Sequence, residues 1–311
     1  MNPLPLVSIV VPFYNEEEVL PALLRRLGET VRALPDYAWE LVLVNDGSAD
    51  ASVAAIAAHR ALFPGKVVLR QFSRNFGHQP ALMAGLEKAA GEAILFIDAD
   101  LQDPPELFAE FLARHREGYE VVYAVRARRE GSAVKKAAYS LFYRLFRRLA
   151  DIAIPLDSGD FGLVGRRAAD AILRMPEKDL LLRGLRSWVG FRQTAVHYER
   201  PERAAGAPKY TFRKLLRLAT SAFFGYSALP LQVASGLGVA AVLLGFLYGC
   251  YALYGKLHGE NPQGWTSLAI LVLFLGGVQL VTIGIMGEYI ARIYRQGQGR
   301  PLYLVAEDRE I

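Results

Sequence analysis

The chain has 311 residues, enough for one large domain or two smaller ones, and 52% of them are hydrophobic, more than a soluble domain needs. Its net charge of +5 allows an anionic membrane surface, a phosphorylated ligand or nucleic acid as partner. The single cysteine, Cys250, lies inside an apolar run, which excludes a disulfide framework and a cysteine-based metal site.

Apolar segments alternate with helical stretches through the first 125 residues. Strands and helices that alternate at this spacing predict an α/β fold with a mostly parallel sheet wound on both faces. Strands are predicted at 6–14, 39–46, 66–72, 93–98 and 120–125, and helices from the first strand to about residue 34 and at 50–62, 78–90 and 104–117.

Polar side chains follow four of these predicted strands. Ligands bind open α/β sheets beyond the carboxyl ends of their strands, so we expect these side chains to line one site. No G-x-G-x-x-G follows the first strand and no G-x-x-x-x-G-K-[ST] occurs, so nucleotide binding would have to use acids and a metal. The residues are Asn15 and Glu16, Asp46, Ser73 to Asn75, and Asp98 with Asp100.

The segment from Ile94 to Leu107 carries the strongest chemical signal. It places Asp98 and Asp100 two residues apart after a buried strand, and both carboxylates face one side if the strand continues through Asp100. Two hard oxygen ligands suit Mg²⁺ or Mn²⁺ shared with a diphosphate. The alternative is a polar loop in which aspartates serve turns and helix caps.

Two basic amphipathic stretches precede two apolar ones. Residues 134–150 and 211–227 place aromatic and aliphatic side chains opposite Lys and Arg, which predicts helices in a membrane interface. An ordinary surface helix is the alternative for the first. Uncharged runs at 218–255 and 261–287 exceed the roughly 20 residues that span a bilayer, so we expect transmembrane helices near 229–254 and 266–287 within 228–290.

Charge places both ends of this pair on one side of the membrane. The connector carries one lysine, whereas arginines and lysines cluster outside the pair, so the positive-inside rule puts both termini in the cytoplasm, at the plasma membrane. Pro12 and the acids after it interrupt the N-terminal apolar run, so no signal peptide is expected. Residues 1–210 would form the cytoplasmic catalytic domain, and 291–311 a tail with a short strand. The flanking basic residues are Arg213, Lys214, Arg217, Arg292, Arg295 and Arg300.

Six segments together resemble one known family. They resemble the GT-A, family 2 polyprenyl-phosphate glycosyltransferases, which include dolichol-phosphate mannosyltransferases and bacterial undecaprenyl-phosphate glucosyl and aminoarabinosyl transferases. This implies a Rossmann-like GT-A domain; one departure is Gly162, where we expect Arg. The segments are V-P-F-Y-N-E at 11–16, V-N-D-G-S at 44–48, S-R-N-F-G-H-Q at 73–79, F-I-D-A-D-L-Q-D-P-P-E at 96–106, D-S-G-D-F at 157–161 and G-x-x-K-Y at 206–210.

The resemblance implies roles for individual residues. Asp98 and Asp100 would contact the nucleotide's ribose and the metal, with Gln102 as a further metal ligand. Asp160 lies where the family's proposed acid/base group resides, with Asp157 as the second choice. Cations must also steer two anions into line, although each could equally be a surface charge. The nucleotide-binding set is Pro12, Tyr14, Glu16, Asp46, Ser73 and Asp98, and the candidate phosphate-binding set is Arg126, Arg128, Arg203 and Lys209.

The predicted reaction is inverting, metal-dependent transfer of a monosaccharide from a nucleotide sugar to a polyprenyl phosphate at the cytoplasmic membrane face. The resemblance favours a UDP-sugar, undecaprenyl phosphate and a homo-oligomer such as a tetramer, with no nucleic-acid partner. A GDP-mannose-dependent mannosyltransferase, a processive polysaccharide synthase and a non-catalytic membrane partner are the alternatives. Two spans without a Q-x-x-R-W motif disfavour the synthase, and polar side chains at four strand ends, three of them with acids, disfavour the non-catalytic partner. The sequence does not specify the sugar.

Overall fold

The computed structural model describes residues 4–126, 158–178, 181–199, 229–258 and 264–311. These residues fall in two compact units. One contains 4–126, 158–178, 181–199 and 300–311, and the other contains 229–258 and 264–299. The predicted amphipathic helices at 134–150 and 211–227 lie outside the described residues, as do Asp157, Arg128, Arg203 and Lys209.

Within the described residues of the first unit, eight strands form one mixed, mostly parallel sheet in the order β7-β5-β6-β4-β1-β2-β3-β8. The β1–β2, β1–β4, β2–β3 and β5–β7 pairs are parallel, whereas β6 pairs antiparallel with β4 and β5, and β8 with β3. The strands are β1 Leu6–Phe13, β2 Ala38–Asn45, β3 Lys66–Phe72, β4 Ala93–Phe96, β5 Val121–Arg126, β6 Ser158–Gly165, β7 Gln193–Tyr198 and β8 Val305–Glu310.

Helices cover both faces of the sheet. They are α1 Leu20–Arg32, α2 Ser52–His59, α3 His78–Lys88, α4 Phe108–Arg116, α5 Arg166–Leu173 and α6 Leu182–Trp188, with single 3₁₀ turns at Arg60–Leu62 and Pro105–Leu107. Alternate residues of β1 point to opposite faces, so Ile9 packs in a core with α1, α2 and α4, and Val10 in a second core with α3, α5 and α6. Burial on both faces explains the continuous apolar runs of β1 and β2.

A glycine fixes the distance of α3 from the sheet. A Cβ atom at Gly85 would collide with Val10 Cγ1 of β1, so only glycine lets the helix lie this close. The N-terminus of α3, with His78 and Gln79, is thereby held beside the ends of the central strands.

The structure confirms the predicted fold class and all five predicted strands, with one error of consequence. The strand predicted at 93–98 ends at Phe96, and the extension through Asp100 is wrong. Asp98 lies outside regular structure, Ala99 and Asp100 form a turn, and Leu101 follows with a left-handed φ of 60°. The two carboxylates therefore do not share a strand face. Sequence reasoning also missed β6, β7, α5 and α6.

The second unit contains two long apolar helices, α7 Leu229–Leu257 and α8 Trp265–Gly297, which pack against each other. Leu231–Gly255 and Ile270–Gly297 are 25 and 28 residues long, with mean hydropathies of 1.9 and 2.2. By length and composition, both are sufficient to cross a membrane. Their aliphatic and aromatic side chains are mostly exposed, which differs from the core helices of a soluble domain.

Candidate active site

The carboxyl ends of β1, β2 and β4 lie side by side at one edge of the sheet, as parallel pairing requires. Strand β6 runs antiparallel to β4, with Phe96 opposite Gly162, so β6 begins at this same edge. Asp98, just after β4, and Asp160, near the start of β6, are therefore brought together.

His78, the first residue of α3, lies between these two carboxylates. Its Nε2 atom is 3.5 Å from Asp98 Oδ1 and 3.6 Å from Asp160 Oδ2. Burial lowers the pKa of His78, but the contact with Asp160 and the charges of both acids outweigh burial and raise the pKa above its usual value. The His78 ring therefore links an acid after β4 to an acid in β6.

Asp160 is surrounded by groups that keep it ionised. Its side chain is 8% exposed; Gln79 Nε2 donates to Oδ2 at 2.8 Å, and Arg183 Nε is 3.9 Å from Oδ1. Burial alone would raise the pKa of Asp160, but His78, Arg183 and Arg186 hold it well below its usual range. An acid with such a low pKa is a weak base, which suits an orienting role better than proton abstraction.

Arg186 is buried beneath the same segment. It is 2% exposed, and its guanidinium donates to the carbonyl oxygens of Gly159 at 2.7 Å and Asp160 at 3.2 Å. Burial lowers the pKa of Arg186 to about 10, which still leaves it charged at neutral pH. The main chain at Asp160 is thus held from one side while its carboxylate is held from another.

Asp98 lies in a recess with an excess of negative charge. Its side chain is 39% exposed, yet enough protein surrounds it to remove much of its hydration. This desolvation is the main reason why the pKa of Asp98 rises to about 6; His78 opposes the rise, and the charges of Asp160, Asp103 and Asp100 add to it. A divalent cation would relieve this repulsion.

The donors in this recess fit a hard cation bound only in part by protein. Asp98 and Asp100 offer carboxylate oxygens, as Mg²⁺ and Mn²⁺ prefer. Among the described residues, no three His, Cys, Asp or Glu side chains are grouped to hold a metal ion by themselves. Substrate or water oxygens would therefore have to complete the coordination.

The alternative interpretation of the segment from Ile94 to Leu107, in which aspartates serve turns, also holds for part of it. Asp100 Oδ1 accepts the backbone N–H of Gln102 at 3.1 Å, which is an aspartate turn. Gln102 is 7% exposed and Asp103 is 3% exposed, so both lie beneath the surface of the recess. The predicted metal roles of Asp100 and Gln102 stay predictions.

The Asp46 carboxylate is hydrogen-bonded to the loop after β3. It is 4% exposed, and its carboxylate accepts the backbone N–H of Phe76 at 2.7 Å and of Gly77 at 3.2 and 3.0 Å. Burial is the main reason why the pKa of Asp46 is raised, although these bonds lower it. In the described structure Asp46 therefore positions the loop that leads to His78, a role that the sequence did not predict.

The other predicted nucleotide-binding residues lie at the same edge but differ in exposure. Pro12 is buried within β1, whereas Tyr14 is 44% exposed. The backbone N–H of Glu16 donates to Ser52 Oγ at 2.9 Å, which ties the loop after β1 to helix α2. Ser73 is exposed, and its backbone N–H donates to the Leu304 carbonyl oxygen at 3.0 Å.

Arg126 is the one predicted phosphate-binding residue that the structure describes. It ends β5, and its guanidinium contacts the hydroxyl of Tyr198, at the end of β7. That hydroxyl donates to Asp103 Oδ1 at 2.6 Å; burial and then Asp103 raise the pKa of Tyr198 to about 12. Arg126 is thereby connected to the loop that carries Asp98.

Sequence reasoning missed four polar residues of the site: His78, Gln79, Arg183 and Arg186. The first two lie in the S-R-N-F-G-H-Q segment, which was noted only as part of the resemblance. The arginines lie in α6, a helix that was not predicted. They supply basic charge next to Asp160, where Gly162 replaces the expected arginine.

The chain was then compared with known families. Residues 8–173, more than half of the chain, match the family described as Glycosyl transferase family 2. The chain belongs to glycosyl transferase family 2. Residues 229–293 of this glycosyltransferase match a second family, described as GtrB C-terminal hairpin, over the two apolar helices. The family resemblance read from the six segments is therefore confirmed, and the chain is an enzyme of the glycosyltransferase class.

Relatives match this family 2 glycosyltransferase over almost its full length. It is 47% identical to the uncharacterized glycosyltransferase YkcC of Bacillus subtilis (strain 168), over 98% of the chain and 94% of the relative. It is 39% identical to the bactoprenol glucosyl transferase of Shigella phage SfV, over 98% of the chain and 99% of the relative. A prophage bactoprenol glucosyl transferase homolog of Escherichia coli (strain K12) is 38% identical, over 96% of the chain and 98% of the relative.

Proposed function

We propose that this enzyme transfers one monosaccharide from a UDP-sugar to a polyprenyl phosphate of the undecaprenyl class, with inversion at the anomeric carbon. The product would be a lipid-linked sugar for cell-envelope glycans. One observation carries the proposal: the Asp98–His78–Asp160 cluster belongs to a chain that also holds two exposed apolar helices. Relatives named bactoprenol glucosyl transferases, 39% and 38% identical, support the lipid acceptor.

On the donor side, Asp98 and Asp100 would hold Mg²⁺ or Mn²⁺, with Gln102 as a further ligand. When bound, the metal neutralises charge on the leaving diphosphate. Desolvation, and then the charges of neighbouring acids, raise the pKa of Asp98 to about 6, and this surplus of acids supports a cation at this place. Tyr14 and Glu16, with Ser73, would line the nucleotide, and Pro12 and Asp46 would be further contacts to it. Asp46 also holds the loop at Phe76.

On the acceptor side, an oxygen of the lipid phosphate attacks the anomeric carbon as the bond from that carbon to the diphosphate breaks. The second pKa of a phosphate monoester is about 6, so the nucleophile is mostly a dianion at neutral pH and needs no strong base. Asp160, ionised and held by Gln79 and His78, would orient the sugar or the acceptor. Arg126 and Arg183 would offset phosphate charge, and we extend this role to Arg128, Arg203 and Lys209.

The apolar helices would place the catalytic unit at the bilayer. We propose that α7 and α8 span the membrane, with residues 1–210 and 291–311 in the cytoplasm, where they meet the lipid-borne phosphate. The 25- and 28-residue apolar lengths and the basic residues outside the pair support this arrangement. A homo-oligomer is part of the proposal.

A transfer assay in detergent tests the function. Purified protein would be incubated with undecaprenyl phosphate, Mg²⁺ or Mn²⁺ and radiolabelled UDP- and GDP-sugars, and label in the lipid extract would be measured. We expect metal-dependent label from a UDP-sugar, a loss of at least about 100-fold in Asp100→Asn, and near-normal transfer in Asp170→Asn, a change on the surface of α5. Label from GDP-mannose alone would show that the donor is GDP-mannose and not a UDP-sugar. Label unaffected by Asp100→Asn would refute the proposed metal-binding role of Asp100.

A further inference from the structure

Gln79 connects helix α6 to Asp160 through the two ends of its amide. Its Oε1 atom accepts the backbone N–H of Leu182 at 2.7 Å, and its Nε2 atom donates to Asp160 Oδ2 at 2.8 Å. A backbone N–H can only donate, so the Leu182 contact determines which end of the amide faces Asp160. The amide donor is therefore aimed at the carboxylate by the fold.

The oxygen that Gln79 holds is the oxygen that faces His78. Asp160 Oδ2 lies 3.6 Å from His78 Nε2, and His78 in turn reaches Asp98. Arg186 fixes the main chain at Asp160 but donates only to carbonyl oxygens there. Among the described residues that reach the Asp160 carboxylate, Gln79 makes the shortest contact, 2.8 Å against 3.6 Å for His78 Nε2 and 3.9 Å for Arg183 Nε. We therefore expect Gln79 to contribute most to limiting rotation of the carboxylate, whereas Arg186 holds only the main chain.

We propose that Gln79 is a positioning residue for sugar transfer, which sets the orientation of the Asp160 carboxylate towards His78 and Asp98. This inference rests on the proposed function. The two side-chain hydrogen bonds of Gln79 go to Asp160 and to the Leu182 backbone, so its effect on the reaction would pass through Asp160.

Two substitutions separate the hydrogen bond from the packing. Gln79→Glu keeps the shape and still accepts the Leu182 N–H, but in its ionised form it places an acceptor against Asp160 Oδ2. Gln79→Leu removes both bonds. Because small misplacements of catalytic groups reduce rates by about 100-fold, we expect kcat to fall by about 10- to 100-fold in both variants. KM for the nucleotide sugar should change by less than about threefold, since the donor recess is untouched.

A double-mutant cycle with Asp160→Asn tests the route of the effect. If Gln79 acts through Asp160, Gln79→Leu should lower kcat by less than about twofold in the Asp160→Asn background. Equal losses in the two backgrounds would overturn the inference, as would a loss below about twofold in the natural background. Gln71→Glu is the matched control, since Gln71 Nε2 donates to Glu307 at 2.6 Å on β8; it should transfer within about twofold of the natural protein.

Thermal unfolding in detergent keeps this inference separate from the proposed function. The four proteins of the cycle would be compared: the natural protein, Gln79→Leu, Asp160→Asn and the double variant. Because Gln79 and Asp160 are in contact, their effects on the unfolding midpoint should be non-additive whatever the substrate is. If the natural protein transfers no sugar, the proposed function fails. Non-additive midpoints would then support the contact on which the inference depends, and additive midpoints would overturn it.

Discussion

Replacing Asp46 by alanine should release the loop that leads into α3. The carboxylate is 4% exposed and accepts the backbone N–H groups of Phe76 and Gly77 at distances between 2.7 and 3.2 Å. His78 and Gln79 follow directly, so a loose loop would misplace two residues of the site. Asp46 would thus affect transfer without touching the sugar.

The magnitude follows from the bonds that are lost. Hydrogen bonds to a charged acceptor contribute about 1.5–3 kcal/mol each, and water would replace part of this when the loop opens. We expect local opening to become easier by about 2–4 kcal/mol. Since about 1.4 kcal/mol corresponds to a factor of ten, exchange protection of the two amides should fall by about 30- to 1000-fold.

Hydrogen exchange of the full-length protein in detergent, read on peptides that cover residues 73–79, measures this change. Asp36→Ala is the control, because the Asp36 side chain is 79% exposed. Transfer should fall by at least about tenfold in Asp46→Ala, since the site would be assembled only part of the time. Unchanged protection of the Phe76 and Gly77 amides would refute the reasoning.

Two further predictions concern the sheet. Gly162→Ala should lower the unfolding free energy by about 1–3 kcal/mol, because its Cβ would collide with the Val122 carbonyl oxygen, whereas Gly159→Ala meets only ordinary contacts; equal thermal midpoints would contradict this. Burial raises the pKa of Asp308, but Arg70 and Lys88 outweigh it and hold the pKa below its usual value. The stabilisation is therefore present above about pH 4 and lost as pH falls through the folded-state pKa. Proteolysis of the tail that carries β8 should therefore be faster at pH 3 than at pH 7 in the natural protein, and in Asp308→Asn it should be fast already at pH 7. Equal resistance of the natural protein and Asp308→Asn at pH 7 would contradict this prediction.

Continuous apolar runs made the centre of the sheet predictable. Strand β3 has the predicted bounds, β1 ends one residue earlier than predicted, and β2 begins and ends one residue earlier than predicted. These strands were predictable because burial on both faces leaves an unambiguous signal. Strand β6 was not predicted because its sequence, S-G-D-F-G-L-V-G, contains three glycines, which disfavour a strand locally. Its antiparallel partners β4 and β5 supply the stabilisation, and no local pattern reveals them.

The acids of the site were predictable, but their partners were not. Asp98 and Asp160 were identified from strand ends and from the resemblance. Gln79 lies 81 residues from Asp160 in the chain, and their contact depends on how closely α3 packs on β1 at Gly85. Period and propensity are local properties, whereas this contact is a result of packing. The same reason explains why the bonds of Asp46 to the loop at Phe76 and Gly77 were not predicted; its nucleotide contact stays a prediction.

The mass of the lipid product tests the central claim most directly. Purified enzyme, a UDP-sugar and undecaprenyl phosphate would be incubated with a divalent metal, with undecaprenol as the parallel acceptor, and the lipid extract would be analysed by mass spectrometry. We predict undecaprenyl phosphate plus one sugar residue, no product from undecaprenol, and loss of the product in Asp98→Asn. A ladder of several sugars, a product from undecaprenol, or an undiminished product in Asp98→Asn would contradict the account.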